Sequence, residues 1–387
     1  MPMKPRLLTP GPTPLPEEVR LALAKDMVHH RKEPFKRLML EIQEGLRLLF
    51  ETQQAVLPLS CSGTGAMQAA LTNLFQSGET VLVIEGGKFG LRWSDMAERL
   101  GLKVERLEVP WGQAVVPSEV GERLQEKPHI AGVLVQASET STGVLHPVGE
   151  LGALTHSRNT LLVVDGISAV GISPCPMDAW GLDCLLTGSQ KGLMLPPGLA
   201  LICLSQKAWD KARRVTNPNH YFDLLVELSR YEARQTAFTS PVNLINGLKA
   251  CLDILRRDGL AERQAMYWAL TQMTRAGVTA MGLNPLVAEH YTWGLTSVLL
   301  PPEIDGVRVL ELAERHYLVT MAGGQDRLKG RIVRIGHMGY VDFADILAGL
   351  YALEQSLKAL GAELPGAPDY LEQAMLAFES ARSDAQT

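Results

Sequence analysis

Leu185-Leu186-Thr187-Gly188-Ser189-Gln190-Lys191-Gly192 is an apolar, strand-like run that breaks into small polar residues and ends on one lysine. A second run of the same kind, Leu161-Leu162-Val163-Val164-Asp165-Gly166, ends on a carboxylate. Short continuous apolar runs bounded by turn residues read as strands buried on both faces. Further runs lie at 55–59, 81–84, 130–137 and 199–204, most of them separated by helical stretches such as 66–75 and 149–156. That alternation predicts an α/β fold with a mostly parallel sheet sandwiched by helices. Ligands of such sheets sit beyond the carboxyl ends of the strands. Ser62, Gly86-Gly87, residues 138–142, Asp165 and residues 189–191 all fall there.

Around this repeat the chain divides. Its 387 residues exceed one simple core, so two domains are expected. Residues 1–16 read as an N-terminal arm, 17–258 as a large domain and 259–387 as a small C-terminal α+β domain. The arm contains Thr9-Pro10-Gly11-Pro12-Thr13-Pro14. Its prolines fix φ and hold their predecessors extended, so it is stiff, non-helical and suited to docking on a partner surface. Helical spacing follows at 17–27 and 35–50, and again at 244–256, 307–315 and 342–360. Strand-like runs in the second half lie at 295–300, 317–320 and 331–335. The tail after Gly361 is rich in Ala, Pro and charge and is expected to fray.

Composition narrows the function classes. The apolar fraction is 46% and the charged fraction 20%, ordinary for a globular enzyme, and the net charge of −5 argues against a nucleic-acid surface. Five scattered cysteines include no C-x-x-C pair. They read as reduced thiols without zinc or iron–sulfur spacing. No apolar signal core opens the chain, and its longest apolar run, 192–204, is broken by Pro196-Pro197-Gly198. A soluble cytoplasmic protein, with no membrane or nucleic-acid partner and no metal, is the expectation.

Each candidate motif has an ordinary reading beside a chemical one. Ser62-Gly63-Thr64-Gly65 follows a strand and opens a helix; it caps that helix, or it cradles a phosphate on the free N–H groups there. The dinucleotide fingerprint fails at Gln68, and the P-loop fails because Lys191 precedes Gly192. Asp165 alone is a common strand-end acid, and Lys191 alone a common surface cation. Together, on strand ends of one sheet and downstream of a phosphate-type turn, they match the needs of pyridoxal phosphate (PLP). Lys191 would hold the cofactor and then move the substrate's α-proton, while Asp165 keeps the ring nitrogen protonated. Phe89, behind Gly86-Gly87-Lys88, either stacks on the ring or packs in the core. Ser141 either donates to the cofactor's phenolic oxygen or shapes a turn. Arg334 either forks onto a substrate carboxylate or makes a structural ion pair.

The Thr9–Pro14 arm, the Ser189-Gln190-Lys191 box with Pro196-Pro197-Gly198 behind it, and Arg334-Ile335-Gly336 together resemble the class V, fold-type I PLP-dependent aminotransferases, in the alanine/serine–glyoxylate branch. The resemblance spans almost the whole chain. It implies a Schiff base on Lys191, pairing of Asp165 with the pyridine nitrogen, and phosphate contacts from Ser62, Gly63, Thr64 and Gln190. It further implies stacking by Phe89, where many relatives place tryptophan, and a phenolic-oxygen contact from Ser141. Thr236 and Thr239 match the stretch that reaches the neighbouring subunit's phosphate, although some relatives carry tyrosine at the position of Thr236. Arg334 matches the carboxylate-binding arginine, and Gly11 a wall of the substrate pocket. His30-Arg31 also echoes a family segment, without a role attached. A homodimer with shared active sites is implied. The expected reaction moves the amino group of serine or alanine to glyoxylate or pyruvate by a ping-pong mechanism. The rivals are another class V enzyme (a phosphonate or phosphoserine aminotransferase, or a lyase) and a non-catalytic subunit that keeps the fold. A cysteine desulfurase would need a nucleophilic cysteine in the second domain, and none follows Cys251.

Overall fold

The computed structural model describes residues 4–216, 219–366 and 368–384. A seven-stranded sheet runs in the order Val56–Leu59, Ala200–Leu204, Cys184–Gly188, Leu161–Asp165, Ile130–Gln136, Thr80–Glu85, Lys103–Glu108. The five strands from Cys184–Gly188 to Lys103–Glu108 are mutually parallel, and Ala200–Leu204 is antiparallel to both its neighbours. Successive side chains of a strand face opposite ways, and here both faces are buried. Leu82, Ile84, Val133, Val135, Leu162 and Val164 join a core with helices Glu33–Phe50 and Val242–Asp258. Val81, Val83, Leu134, Leu161, Val163 and Leu186 join another with helices Gly63–Leu74 and Lys88–Arg99. This is the α/β sandwich that the continuous apolar runs predict.

A second sheet has five strands, in the order Arg6–Leu8, Val319–Gly323, Ile332–Gly336, Leu295–Leu299, Asn284–Pro285. It packs with helices Leu260–Ala280, Gly306–Tyr317, Phe343–Ala359 and Tyr370–Asp384 around a separate core that includes Met273, Val298, Val309, Val333, Leu353 and Ala374. Asp305 and Asp342 cap the starts of Gly306–Tyr317 and Phe343–Ala359, accepting the first-turn N–H groups that lack helical partners.

Several segments differ from the sequence expectation. The arm docks on its own chain: Arg6–Leu8 pairs parallel with Val319–Met321, and Leu8 is buried in the small core. Lys103–Glu108 is an edge strand of charged and apolar residues, so it lacks the continuous apolar run that marks its neighbours. The tail does not simply fray. Residues Tyr370–Asp384 form a helix whose Tyr370, Ala374, Phe378 and Ala381 are buried in the small core. Helix Leu260–Ala280 was not anticipated either; its apolar residues are spread around the cylinder instead of lying in one stripe. Among the described residues no helix is long and apolar enough to cross a membrane.

The packed tail is directly testable. Phe378 is 4% exposed and Leu376, on the same helix, 53%. Phe378→Ala is expected to reduce unfolding free energy in urea by about 3 kcal/mol, whereas Leu376→Ala changes it by no more than about 0.5 kcal/mol. Equal, small effects would mean that the helix is not part of the fold.

Candidate active site

The carboxyl ends of the central parallel strands and residues Gly11 and Pro12 of the N-terminal arm line one cavity of about 270 Å³. Asp165 is the last residue of its strand and pairs in register with Leu186 on one side and Gln136 on the other. Lys191 follows the neighbouring strand Cys184–Gly188 after a two-residue turn. Ser62, Gly63 and Thr64 reach the cavity at the start of helix Gly63–Leu74, and Phe89 near the start of Lys88–Arg99. Gln190 and Gly11 complete the set of expected residues that line it.

Lys191 is almost fully enclosed. Its Nζ donates to the carbonyl of Pro10, and its own carbonyl accepts from Thr13 Oγ1 at 3.2 Å. Gly11 sits against its side chain: a Cβ there would lie 2.5 Å from Lys191 Cδ and 2.7 Å from Nζ, and φ is +98°. A side chain at that position would meet both the lysine and an unfavourable backbone angle. Burial pushes the Lys191 amine down to about 8, against the pull of the Asp165 charge and with help from the Arg334 and Arg92 cations. Burial likewise pushes the Asp165 carboxyl up to about 6, although its Oδ1 accepts from Ile167 N at 2.8 Å. Dehydration acts oppositely on an acid and a base because it penalises the charged form of each.

Four expected residues lie elsewhere than the cavity wall. The Ser141 hydroxyl is committed: it donates to Glu139 Oε1 and accepts from Lys88 N at 3.0 Å. Thr140, one residue earlier, lines the cavity and bonds Ser168 Oγ at 2.7 Å. Of the two adjacent hydroxyl residues it is Thr140 that lines the cavity, because a turn sends adjacent side chains in different directions. Arg334 stands behind Thr140, with Nη1 on the Thr140 carbonyl at 2.8 Å and Nε on the Gly323 carbonyl at 2.9 Å. No described carboxylate lies within ion-pair distance of it, and burial lowers its pKa. The Thr236 hydroxyl donates to Phe238 O within its own loop, and Thr239 is exposed. Arg31, which had no expected role, clamps that loop through Gln235 Oε1, Thr236 O and Ala237 O at 2.8, 2.9 and 3.1 Å.

Two further residues emerge only in three dimensions. Glu139 is fully buried and gathers four donors: Ser141 N and Oγ, Phe89 N and Gly90 N. It thereby ties the start of the Phe89 helix to the Thr140 loop. Arg92 lies one helical turn beyond Phe89 and lines the cavity. Only the i, i+3 spacing from Phe89 hinted at it.

The family model for class V aminotransferases matches residues 10–299. The chain belongs to that family. It is 39% identical to a Synechococcus protein named soluble hydrogenase, small subunit, over 92% of this chain and 94% of that one. It is 36% identical to the serine–glyoxylate aminotransferase of Hyphomicrobium methylovorum, over 94% of this chain and 92% of that one. Among solved structures, the alanine–glyoxylate aminotransferase of a Nostoc species superposes with a TM-score of 0.88 at 31% identity, covering 92% of this chain and 96% of that one.

The burial of Asp165 predicts a pH signature in the cofactor-free protein. Its folded-state pKa of about 6 stands above the ordinary 3.8, so the native state holds this proton more tightly than the unfolded chain. Its contribution to stability is complete below about pH 4 and is lost as pH rises through 6. Asp165→Asn is therefore expected to raise stability by about 2 kcal/mol at pH 7.5, and the gain should vanish near pH 4. Urea titrations at the two pH values check it; a pH-independent difference would contradict the buried-carboxylate account.

Proposed function

We propose that the chain is a PLP-dependent aminotransferase that passes the amino group of a small L-amino acid, serine or alanine, to a small 2-oxo acid, glyoxylate or pyruvate, in a ping-pong cycle. One observation carries the reading. A buried amine and a buried carboxylate from neighbouring strands share a cavity with an uncapped helix N-terminus. The residues present fit the cofactor. The helix start at Gly63 lines the cavity and carries no side-chain cap, which leaves its first N–H groups for an anion. Gly63 leaves room where a Cβ would meet Ile167 Cδ1 at 2.3 Å. The name of the Synechococcus relative points to another activity; the paired amine and carboxylate favour transamination.

When bound, PLP supplies an electron sink for the bond at the substrate's α-carbon. The chain's own groups do the rest. Lys191 Nζ, held down to about 8 by burial, loses its proton readily enough to serve as attachment point and then as the base that moves the α-proton. Asp165 would keep a proton on the cofactor's ring nitrogen. Phe89 would hold the ring, and Ser62, Gly63, Thr64 and Gln190 would hold the phosphate. The Arg334 guanidinium keeps Nη2 for a substrate carboxylate while Thr140 and Gly323 fix the other end of its fork. Gly11 and the Pro10 carbonyl close the wall over Lys191.

Thr239, exposed on a loop that Arg31 and Glu227 pin in place, supports a homodimer in which this loop reaches the partner's phosphate. The free thiols of all five cysteines support a cytoplasmic setting. We keep residues 1–16, 17–258 and 259–387 as the proposed arm, large and small domains.

Two variants test the reading. Lys191→Ala should abolish covalent attachment of PLP, read as loss of the absorbance band and of the mass adduct, and reduce transamination by at least about 10³-fold. Persistent turnover would reject the assignment. Arg334→Ala should raise KM for amino acid and oxo acid alike by about tenfold or more. A panel of donors against glyoxylate, pyruvate and 2-oxoglutarate fixes the substrate pair.

A further inference from the structure

The cavity wall carries two cationic side chains among the described residues, Lys191 and Arg92. Arg92 has no acidic partner within ion-pair distance among the described residues. Its Nη1 donates to Thr64 Oγ1 at 3.2 Å, and its guanidinium carbon lies 4.7 Å from the centre of the Phe89 ring. A guanidinium has five N–H groups, so a bond to one neutral hydroxyl leaves most of its donors unspent. Its charge reaches the active groups, lowering the pKa of both Asp165 and Lys191.

Arg92 stands beside the first turn of helix Gly63–Leu74. The Ser62 side chain makes no capping bond there, and first-turn N–H groups have no helical acceptor. A helix N-terminus offers roughly half a positive charge, whereas a phosphate monoester at neutral pH carries about −1.5 to −2. The helix end alone leaves most of that charge unbalanced in a cavity that already holds the Asp165 carboxylate. Lys191 cannot supply the balance, because its nitrogen is the attachment point.

We propose that Arg92 is the cation that binds the cofactor's phosphate, its fork working with Thr64 and the Gly63–Leu74 helix start. This rests on the PLP reading and adds a residue to it. The position suits arginine: the planar fork matches phosphate oxygens while its face lies on Phe89. The Thr64 hydroxyl orients the fork in the meantime. Phe89 and Arg92, one turn apart on the same helix, thus serve the ring and the phosphate together.

The test compares PLP with pyridoxal, which has the same aldehyde and ring but no phosphate. Cofactor-free wild type, Arg92→Gln and Arg92→Lys are titrated with each, following the absorbance of the Lys191 adduct. Thermal melts confirm that each variant is folded. Arg92→Gln is expected to weaken PLP binding by about tenfold or more, the loss of a charge-assisted contact, and to change pyridoxal binding by less than about twofold. Arg92→Lys should recover part of the PLP affinity and leave pyridoxal alone. Unchanged PLP affinity in Arg92→Gln overturns the proposal. So do equal losses for both ligands, which would place the action of Arg92 on the ring stack or on Lys191. If wild type takes up neither ligand, the cofactor reading itself falls; uptake by wild type with equal losses in the variant sinks only the phosphate role.

Discussion

An amine is held below its ordinary pKa only where it is kept from water without being pinned by an acid, and the surroundings of Lys191 meet that demand. Burial lowers its pKa to about 8 while Asp165 pulls the other way. The walls that exclude water come largely from the N-terminal arm: the Pro10 carbonyl receives Nζ, Gly11 lies on the aliphatic stem, and Thr13 bonds the lysine's carbonyl. An arm of prolines can hold such a position only if its other end is fixed. Arg6–Leu8 provides that by joining the small sheet beside Val319–Met321. Gly336 and Gly339 leave room for the backbone of Thr9 and the side chain of Thr13. The lysine thus sits under a strap anchored in the other half of the molecule.

The two halves are tied at further points around the cavity. Arg334 of the small sheet holds the Thr140 carbonyl, and Ser138 Oγ donates to Thr292 Oγ1 at 2.8 Å. Lys88, which starts the Phe89 helix, pairs with Asp326 at 2.9 Å. That last pair is about half exposed on both sides, so it contributes little to stability; its effect is to orient. The buried Arg334 bond matters more. The Arg334 fork holds the loop that also carries Glu139, and Glu139 in turn holds the start of the Phe89 helix, so the small sheet is joined to the Phe89 side of the cavity through a short chain of buried bonds.

The sequence was readable where burial imposes a period and hard to read where geometry is non-local. Runs such as 161–164 and 184–187 are apolar throughout because both faces of those strands are covered, and that pattern needs no knowledge of neighbours. Asp165 and Lys191 stand out for the same reason: charges at the ends of buried strands. Lys103–Glu108 was missed because an edge strand has one covered side and tolerates charge on the other. The tail helix was missed because its buried Ala374 and Ala381 are small, leaving few large apolar residues to mark a face. Thr140 and Ser141 are chemically alike and adjacent, and only the turn decides which hydroxyl meets the cavity. Glu139 and Arg92 gain their meaning from partners fifty and twenty-eight residues away, a distance that local patterning cannot span.

Two buried carboxylates in one site invite the question of which is chemically active, and hydrogen bonding answers it. Burial raises the pKa of both. Glu139 accepts two donors on each oxygen, from Ser141 N, Ser141 Oγ, Phe89 N and Gly90 N. A carboxylate has roughly four lone-pair sites, so Glu139 is saturated and has nothing left for a ligand; it works as an anionic cap on the Phe89 helix. Asp165 receives one donor, Ile167 N, on one oxygen. An unsaturated buried carboxylate is expensive for the folded chain, so Asp165 is the one with capacity left for a charged partner. The same incompleteness marks Gln190 Oε1 and Arg92. Beside this cavity the saturated Glu139 contrasts with Asp165 and Arg92, whose polar atoms keep bonding capacity to spare.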